Sequence, residues 1–110
     1  MIGIFSKLFG KQKSISTSEL DNLLKQEKVT LIDVRTAQEY RYGHIQEAKN
    51  LPLNQIVNYS GPKTKPVYVI CQSGMRSKRA CAILNDKGYQ TINVKGGMSQ
   101  WTGRKTNPKK

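Results

Sequence analysis

The chain has 110 residues and a formal net charge of +12, from 19 lysines and arginines against seven acidic residues. This length predicts one domain that buries roughly two-thirds of its unfolded surface, and no apolar run is long enough to cross a bilayer. The two cysteines provide neither a disulfide framework nor a zinc site, so we expect a protein of a reducing, cytoplasmic compartment.

The basic residues concentrate at the two ends of the chain. Lys7, Lys11 and Lys13 precede the first acidic residue, and residues 104–110 form a basic tail without acids. Aromatic residues do not alternate with these bases as a stacking platform would require, which argues against a nucleic-acid partner. The charge instead predicts a positive field that attracts anionic substrates or an acidic partner protein.

Residues 1–14 form an apolar and basic extension that precedes the predicted domain of residues 15–103. Within it, residues 1–10 carry Lys7 as their only charge and are too short for a signal peptide. We expect a terminal helix that covers part of the core. A contact of residues 1–10 with a membrane surface or a partner is the alternative.

From Ser16 onward, patterns typical of helices alternate with short apolar runs typical of buried strands. Ser16 and Glu19 have the spacing of a capping box and begin the first helix. The pattern then predicts a strand over 29–34, a short helix over 36–42, a strand over 49–51, a strand over 67–70, a helix over 77–87 and a strand over 89–94. Such alternation predicts an α/β fold with a parallel sheet and helices on both faces. Ligands of such sheets bind at the carboxyl ends of the strands.

The segment from Cys71 to Ser77, Cys-Gln-Ser-Gly-Met-Arg-Ser, carries the strongest functional signal. It follows an apolar strand and precedes a helix, so its backbone N–H groups and the amino end of the helix form a nest for an anion. A cysteine in such a nest has a lowered pKa, and its thiolate is a nucleophile. We therefore expect Cys71 to be catalytic; an inert buried cysteine is the alternative.

The other residues of this loop are expected to support the sulfur. Arg76 should face the nest and stabilise the thiolate or a donor anion, because its guanidinium is always charged. Gly74 should permit the tight curve, and Ser77 should cap the helix or donate to the sulfur. The residues expected to form the cradle are Gln72, Ser73, Gly74, Met75 and Ser77.

Asp33 and Arg35 end a neighbouring strand, and the alternation of side chains sends both to the same side. Asp33 is expected to hydrogen-bond the loop, and Arg35 to bind an acidic donor. The alternative, which we favour, is a structural role in a buried ion pair, such as Arg35 with Glu39. Cys81 is interpreted as a core residue rather than as a thiol that resolves Cys71.

Three segments resemble the signatures of rhodanese-like domains, in that family's order and spacing. The first runs from Leu31-Ile32-Asp33-Val34-Arg35 through Glu39-Tyr40 and Gly43-His44-Ile45 to Pro52, the second is the loop from Cys71 to Ser77, and the third is Gly96-Gly97 followed by Trp101. The resemblance implies a five-stranded, mostly parallel sheet flanked by helices, with His44 in a structural turn. One departure, Gln46-Glu47 where the family usually has Pro-Gly, puts the local turn in question.

The resemblance also implies a sulfurtransferase of the thiosulfate type, with the sulfur carried as a persulfide on Cys71. Thiosulfate or a protein persulfide would be the donor, a thiol or cyanide the acceptor, and no metal or organic cofactor is implied. A non-catalytic binding or carrier module is one alternative. A phosphatase or arsenate reductase of the same superfamily is another, although their loops place five residues between Cys and Arg, where this chain has four between Cys71 and Arg76.

Overall fold

The computed structural model describes residues 13–107, and their architecture is a parallel β-sheet covered by helices on both faces. The strands in these residues are β1 (Lys13–Ile15), β2 (Thr30–Asp33), β3 (Ala48–Asn50), β4 (Val67–Ile70) and β5 (Thr91–Val94). They pair in the order β1-β5-β4-β2-β3, and every pair is parallel. The strand before Cys71, β4, is therefore the centre of the sheet.

The helices of the described residues are α1 (Thr17–Gln26), α2 (Ala37–Tyr42) and α3 (Met75–Asp86), with 3-10 helices at Leu53–Asn58 and Gly97–Gln100. The capping box predicted at Ser16 is present, because its side chain accepts from the backbone of Glu19 and the Glu19 side chain returns to Ser16. A second capping box joins Thr36 to Glu39 at the start of α2. No helix among residues 13–107 has the length and apolar character to span a membrane.

Two apolar clusters, one on each face of the sheet, hold the helices in place. On one face, α3 packs through Ala80, Cys81 and Leu84 against β2 and β4. On the other face, Leu20 of α1 packs with Trp101 and with side chains from β2, β4 and β5. Since each fully buried aliphatic side chain contributes about 1.5–3 kcal/mol, these two clusters fix β4 and the residue that follows it.

The α/β fold and the parallel sheet with helices on both faces are confirmed, and several boundaries differ from the predicted ones. β1 and the first 3-10 helix were not predicted, since a three-residue strand at the sheet edge has no clear alternation. α3 begins at Met75 rather than at residue 77, because Gly74 turns the chain with a φ of 105° and makes the following residues helical. β5 begins at Thr91, two residues later than predicted.

The two ends of the described residues contact the rest of the domain. Most of the predicted N-terminal extension, residues 1–12, lies outside the described residues, but its positions 13 and 14 belong to β1. Near the other end, Thr106 forms an antiparallel bridge with His44, with N–H···O distances of 2.8 and 3.0 Å. The part of the predicted tail up to residue 107 therefore lies against the domain.

The turn at Gln46-Glu47 forms without the glycine that the resemblance led us to expect. The N–H of Ala48 donates to the carbonyl of Ile45 at 2.9 Å, which closes the turn. No residue other than glycine has a positive φ among residues 13–107, so Gln46 and Glu47 adopt ordinary backbone angles. The departure leaves β3 in its place.

Candidate active site

Cys71 is the first residue after β4, and its side chain points into the loop that leads to α3. Its Sγ accepts the backbone N–H of Gly74 at 3.0 Å and that of Ser77 at 3.2 Å. The Ser77 Oγ lies 3.4 Å from the same sulfur. The N–H groups of the loop thus converge on the sulfur, and only 1% of Cys71 is exposed.

These hydrogen bonds determine the acidity of the thiol. Burial raises the pKa of Cys71. The Ser77 hydroxyl and the backbone N–H groups of Ser77, Gly74 and Ser73 together lower it by a larger amount, so the pKa lies below its ordinary value. Hydrogen bonds to the charged form stabilise the thiolate, which is the nucleophilic form of cysteine. The site therefore favours a thiolate in a nearly water-free position.

The Gly96-Gly97 turn holds the carbonyl side of the same loop. The N–H of Met98 donates to the carbonyl of Cys71 at 2.8 Å, and the N–H of Ser99 donates to that of Gln72 at 2.9 Å. Gly97 has a φ of 58°, and a Cβ there would lie 2.2 Å from the Cys71 carbonyl oxygen. The third sequence signature therefore acts as the support on which the cysteine loop rests.

Ser77 was expected to cap the helix or to donate to the sulfur, and it donates to the sulfur through its backbone N–H. Helix α3 starts two residues earlier, with Gly74 at its N-cap position, so Ser77 lies within the first turn. Its backbone N–H donates to the sulfur, and its buried hydroxyl donates to the carbonyl of Gly74 at 3.0 Å and contacts Asn93 Oδ1. Asn93, on β5, was missed by the sequence analysis, because nothing in the local pattern connects it with Ser77.

Arg76 points to Glu39 of α2 rather than directly at the sulfur, which corrects our expectation. Its guanidinium donates to both carboxylate oxygens, at 2.7 and 3.0 Å. This pairing with Arg76 holds the pKa of Glu39 at about 2. Glu39 is the main cause that raises the pKa of Arg76, and the nearby charge of Cys71 adds to it. Arg76 therefore lies within electrostatic range of the sulfur.

Asp33 and Arg35 form a buried ion pair with each other, with Nη2 2.8 Å from Oδ2 and Nε 3.0 Å from Oδ1. The expected pairing of Arg35 with Glu39 is therefore wrong. No hydrogen bond joins Asp33 to the loop in the described residues, but Arg35 donates to the side chain of Gln72 at 3.4 Å and to the carbonyl of Gly43 at 2.9 Å. The pair connects the end of β2 with the cysteine loop and the end of α2.

The remaining candidates lie at the mouth of the loop or away from it. Met75 is 68% exposed beside the loop and does not belong to the core. His44 stacks on Tyr40 and its Nδ1 is 2.7 Å from the Tyr40 carbonyl, a structural position. Cys81 is fully buried, and burial raises the pKa of its thiol. Within residues 13–107, no cluster of three His, Cys, Asp or Glu side chains could hold a metal.

A groove of about 600 Å³ runs along α3 from Arg76. Its floor is mostly apolar, and Arg79 lies one helical turn beyond Arg76 without an ion pair to any described residue. The residues lining this groove are Val34, Thr36, Pro52, Leu53, Asn54, Val57, Arg76, Arg79 and Ile83. The groove thus offers an apolar surface and a free positive charge close to the cysteine loop.

Comparison with known proteins gives consistent results. The family model described as "Rhodanese-like domain" matches residues 16–104. The chain is 39% identical over 100 residues to "Putative sulfurtransferase YtwF" of Bacillus subtilis, covering 88% of this chain and 96% of that protein. It is 39% identical over 89 residues to "Sulfurtransferase" of Allochromatium vinosum, covering 78% and 83%.

Solved structures show the same relationship. A rhodanese-like domain protein from Staphylococcus aureus superposes with a TM-score of 0.78 at 38% identity, covering 84% of this chain and 94% of that one. The structure described as "rhodanese with anions from E. coli" gives a TM-score of 0.63 at 30% identity, covering 71% and 96%.

Proposed function

The chain belongs to the rhodanese-like domain family, and on this premise we propose that it is a sulfurtransferase that carries sulfane sulfur as a persulfide on Cys71. The observation that carries the proposal is the convergence of the Gly74 and Ser77 N–H groups on the Cys71 sulfur, at 3.0 and 3.2 Å. The relatives named sulfurtransferases, at 39% identity, support the same reaction class.

In the loading step, the Cys71 thiolate attacks the outer sulfur of thiosulfate. The new bond joins the two sulfur atoms, the sulfur–sulfur bond of thiosulfate breaks, and sulfite leaves with the electron pair. The negative charge passes from the cysteine sulfur to the outer sulfur of the persulfide. The loop N–H groups stabilise the attacking thiolate before the reaction and the cysteine sulfur after it.

In the transfer step, an acceptor attacks the outer sulfur and the cysteine thiolate leaves. Cyanide gives thiocyanate, and a thiolate gives an acceptor persulfide; in both cases the electron pair of the broken bond returns to Cys71. A lowered pKa helps this step, because a more acidic thiol is a better leaving group. The same hydrogen bonds to Sγ therefore serve both halves of the cycle.

The charge of the protein suits anionic donors and acceptors. The net charge is +12, and Arg76 and Arg79 line the groove beside the loop. A positive surface increases the local concentration of anions such as thiosulfate and of acidic protein partners. We propose that donors and acceptors, whether small anions or acidic proteins that present a persulfide or thiol, approach along this groove.

The width of the loop supports sulfur rather than phosphate or arsenate as the transferred group. Four residues separate Cys71 from Arg76. The N–H groups of Gly74 and Ser77 already donate to the cysteine sulfur itself. Arg76 is held by Glu39, whereas a phosphatase loop needs several donors and a free guanidinium for the oxygens of its substrate.

The proposal is tested by intact-protein mass spectrometry after brief exposure to thiosulfate, with the parent, Cys71→Ser and Cys81→Ser. We expect the parent and Cys81→Ser to gain one sulfur atom, Cys71→Ser to gain none, and cyanide to remove the gain. A folded parent that gains no sulfur from thiosulfate or from a persulfide donor would contradict the proposal and support a binding module. Hydrolysis of an aryl phosphate that disappears in Cys71→Ser would support a phosphatase.

A further inference from the structure

The hydroxyl of Ser77 lies between three groups that compete for it. Its Oγ is 3.4 Å from Cys71 Sγ and 3.0 Å from the carbonyl of Gly74, and it contacts Oδ1 of Asn93. Ser77 is fully buried and Asn93 is 2% exposed, so these contacts are closed to bulk solvent. The direction of one O–H bond is therefore set by the groups packed around it.

A hydroxyl has one proton to donate and two lone pairs to accept with. When Cys71 is a thiol, its S–H donates to Ser77 Oγ, and the Ser77 proton goes to Asn93 or to the Gly74 carbonyl. When the sulfur is an anion, it needs the Ser77 proton for itself. The oxygen of Ser77 is then best satisfied by a donor on the side where Asn93 lies.

The carboxamide of Asn93 has both an oxygen acceptor and an N–H₂ donor, so it suits both states of the sulfur. We propose that Asn93 is a positioning residue for Cys71. It accepts a hydrogen bond from the Ser77 hydroxyl while the sulfur is protonated, and it donates one to the Ser77 oxygen while the sulfur is anionic. Asn93 thereby turns the Ser77 hydroxyl toward the thiolate. The effect applies to any nucleophilic reaction of Cys71, and its role in sulfur transfer rests on the proposed function.

The charged and titratable groups around Cys71 come from α3, from α2 and from the end of β2. Helix α3 contributes Arg76, which is paired with Glu39 of α2, and Cys81. The end of β2 contributes the Asp33–Arg35 pair, which reaches the loop through Gln72. β5 contributes no charge and faces the site with Asn93, so a change at this position is separable from the other charges.

The replacement Asn93→Asp keeps the shape and removes the donor. A carboxylate can only accept a hydrogen bond from the Ser77 hydroxyl, and it adds a negative charge near the sulfur, so both effects disfavour the thiolate. We expect the pH midpoint for alkylation of Cys71 by iodoacetamide to rise by at least one unit, which is about a tenfold loss of rate at pH values below both midpoints. The rate should recover at alkaline pH, which a general loss of structure would not produce.

Two further variants make the test specific. Asn93→Leu has a similar volume and no polar atoms, so a folded protein is expected with a smaller upward shift, about threefold in rate. Asn85→Asp is the control for the same substitution outside the site, because Asn85 is exposed and its Oδ1 also accepts from a hydroxyl, that of Thr91 at 2.9 Å, rather than from Ser77. We expect the control to leave the midpoint unchanged.

The alkylation is read on the peptide that contains Cys71 in the full chain, with circular dichroism as the check of folding. An unchanged or lowered midpoint in folded Asn93→Asp or Asn93→Leu would overturn the inference, and so would an equal shift in Asn85→Asp. If the midpoint moves as expected but the parent never gains sulfur, the inference stands and the proposed function fails. If the parent gains sulfur and the midpoint does not move, the proposed function stands and the inference about Asn93 fails.

Discussion

The two cysteines of this chain are ten positions apart, and their pKa values are shifted in opposite directions. Cys71 is 1% exposed, Cys81 is fully buried, and both belong to the same apolar cluster. Burial raises the pKa of both thiols, yet the pKa of Cys71 ends below its ordinary value and that of Cys81 above it. Burial alone therefore does not decide whether a cysteine is inert.

The difference lies in the backbone around each sulfur. Cys71 lies in a loop before a helix, where N–H groups have no carbonyl partner in the helix and turn to the sulfur. Cys81 lies within α3, where the backbone N–H groups are used by the helix itself. The Thr91 hydroxyl lowers the pKa of the Cys81 thiol, but by less than burial raises it. The lowered pKa of Cys71 thus draws on backbone donors that no helical carbonyl occupies.

The largest expected effect is the difference in reactivity between the two cysteines. Iodoacetamide should modify Cys71 at least about a thousandfold faster than Cys81, since Cys81 needs both ionisation against its raised pKa and opening of the core. Peptide mapping after partial alkylation measures the ratio. In denaturant the two rates should become similar, and comparable rates in the folded protein would break the comparison.

Gly97→Ala should remove the advantage of Cys71 by disturbing the support of its loop. The new Cβ would lie 2.2 Å from the Cys71 carbonyl oxygen, and φ there is 58°, so strain and a clash coincide. We expect a loss of about 2–4 kcal/mol in the free energy of unfolding and a raised midpoint for Cys71 alkylation. Urea denaturation measures the loss in unfolding free energy.

Gly88→Ala is the control for strain without a clash. Its φ is 99°, but the nearest atom to a new Cβ is Lys63 Nζ at 3.5 Å, the end of a flexible side chain. It should cost about 1 kcal/mol and leave the alkylation midpoint of Cys71 unchanged. Equal effects of the two substitutions would show that the turn does not support the loop.

Variants of Arg76 and Glu39 should shift the acidity of Cys71 in opposite directions. Arg76→Gln removes a positive charge near the sulfur and should lower the rate of Cys71 alkylation about threefold at pH values below the midpoint. Glu39→Gln removes the anion that offsets Arg76, so it should raise that rate by up to about twofold. High salt should weaken both shifts, and changes of the same sign would show that the charge of Arg76 does not reach the sulfur.

A separate effect concerns stability in acid. The pKa of Glu39 is about 2 in the folded protein, below its ordinary value, so its ion pair with Arg76 stabilises the fold at pH values above the unfolded pKa. This contribution is lost as the pH falls through about 2. Both side chains are about one-third exposed, which reduces it to about 1 kcal/mol.

The difference in unfolding free energy between the parent and Glu39→Gln should therefore be present near neutral pH and disappear between ordinary carboxylate pKa values and pH 2. Urea titrations at several pH values measure it. Lys25 and Asp21 provide the comparison, because their charged atoms are 3.8 Å apart and the lysine side chain is 70% exposed, so Asp21→Asn should change stability by less. A difference between the parent and Glu39→Gln that persists at pH 2 would contradict the assignment of this pair.

Local sequence patterns were sufficient for much of the fold. The capping box at Ser16, the central strand over 67–70 and the end of α2 at Gly43 are observed as predicted, because each depends on contacts within a few residues. β1 was missed, because a short edge strand is specified by its partner β5 rather than by its own pattern.

The candidate site divides in the same way. The nest around Cys71 follows from a strand, a glycine and a helix start that are adjacent in the chain. The partners of the charged residues did not follow, since Arg35 bonds to Asp33 and leaves Glu39 to Arg76, which is 37 residues away. Several pairings satisfy the same charges, and only the positions of α2 and α3 in the fold select one of them.

The sequence by itself therefore indicated Cys71 as the candidate nucleophile and the family signatures around it, because loop, glycine and helix start are local features. Only the tertiary structure decided which groups contact its sulfur and its loop. Asn93 comes to Ser77 from another strand, and the Gly96-Gly97 turn comes to the Cys71 carbonyl from beyond that strand. Hydrogen bonds act over about 3 Å and depend on direction, so they are fixed by how β4, β5 and α3 pack rather than by the order of residues along the chain.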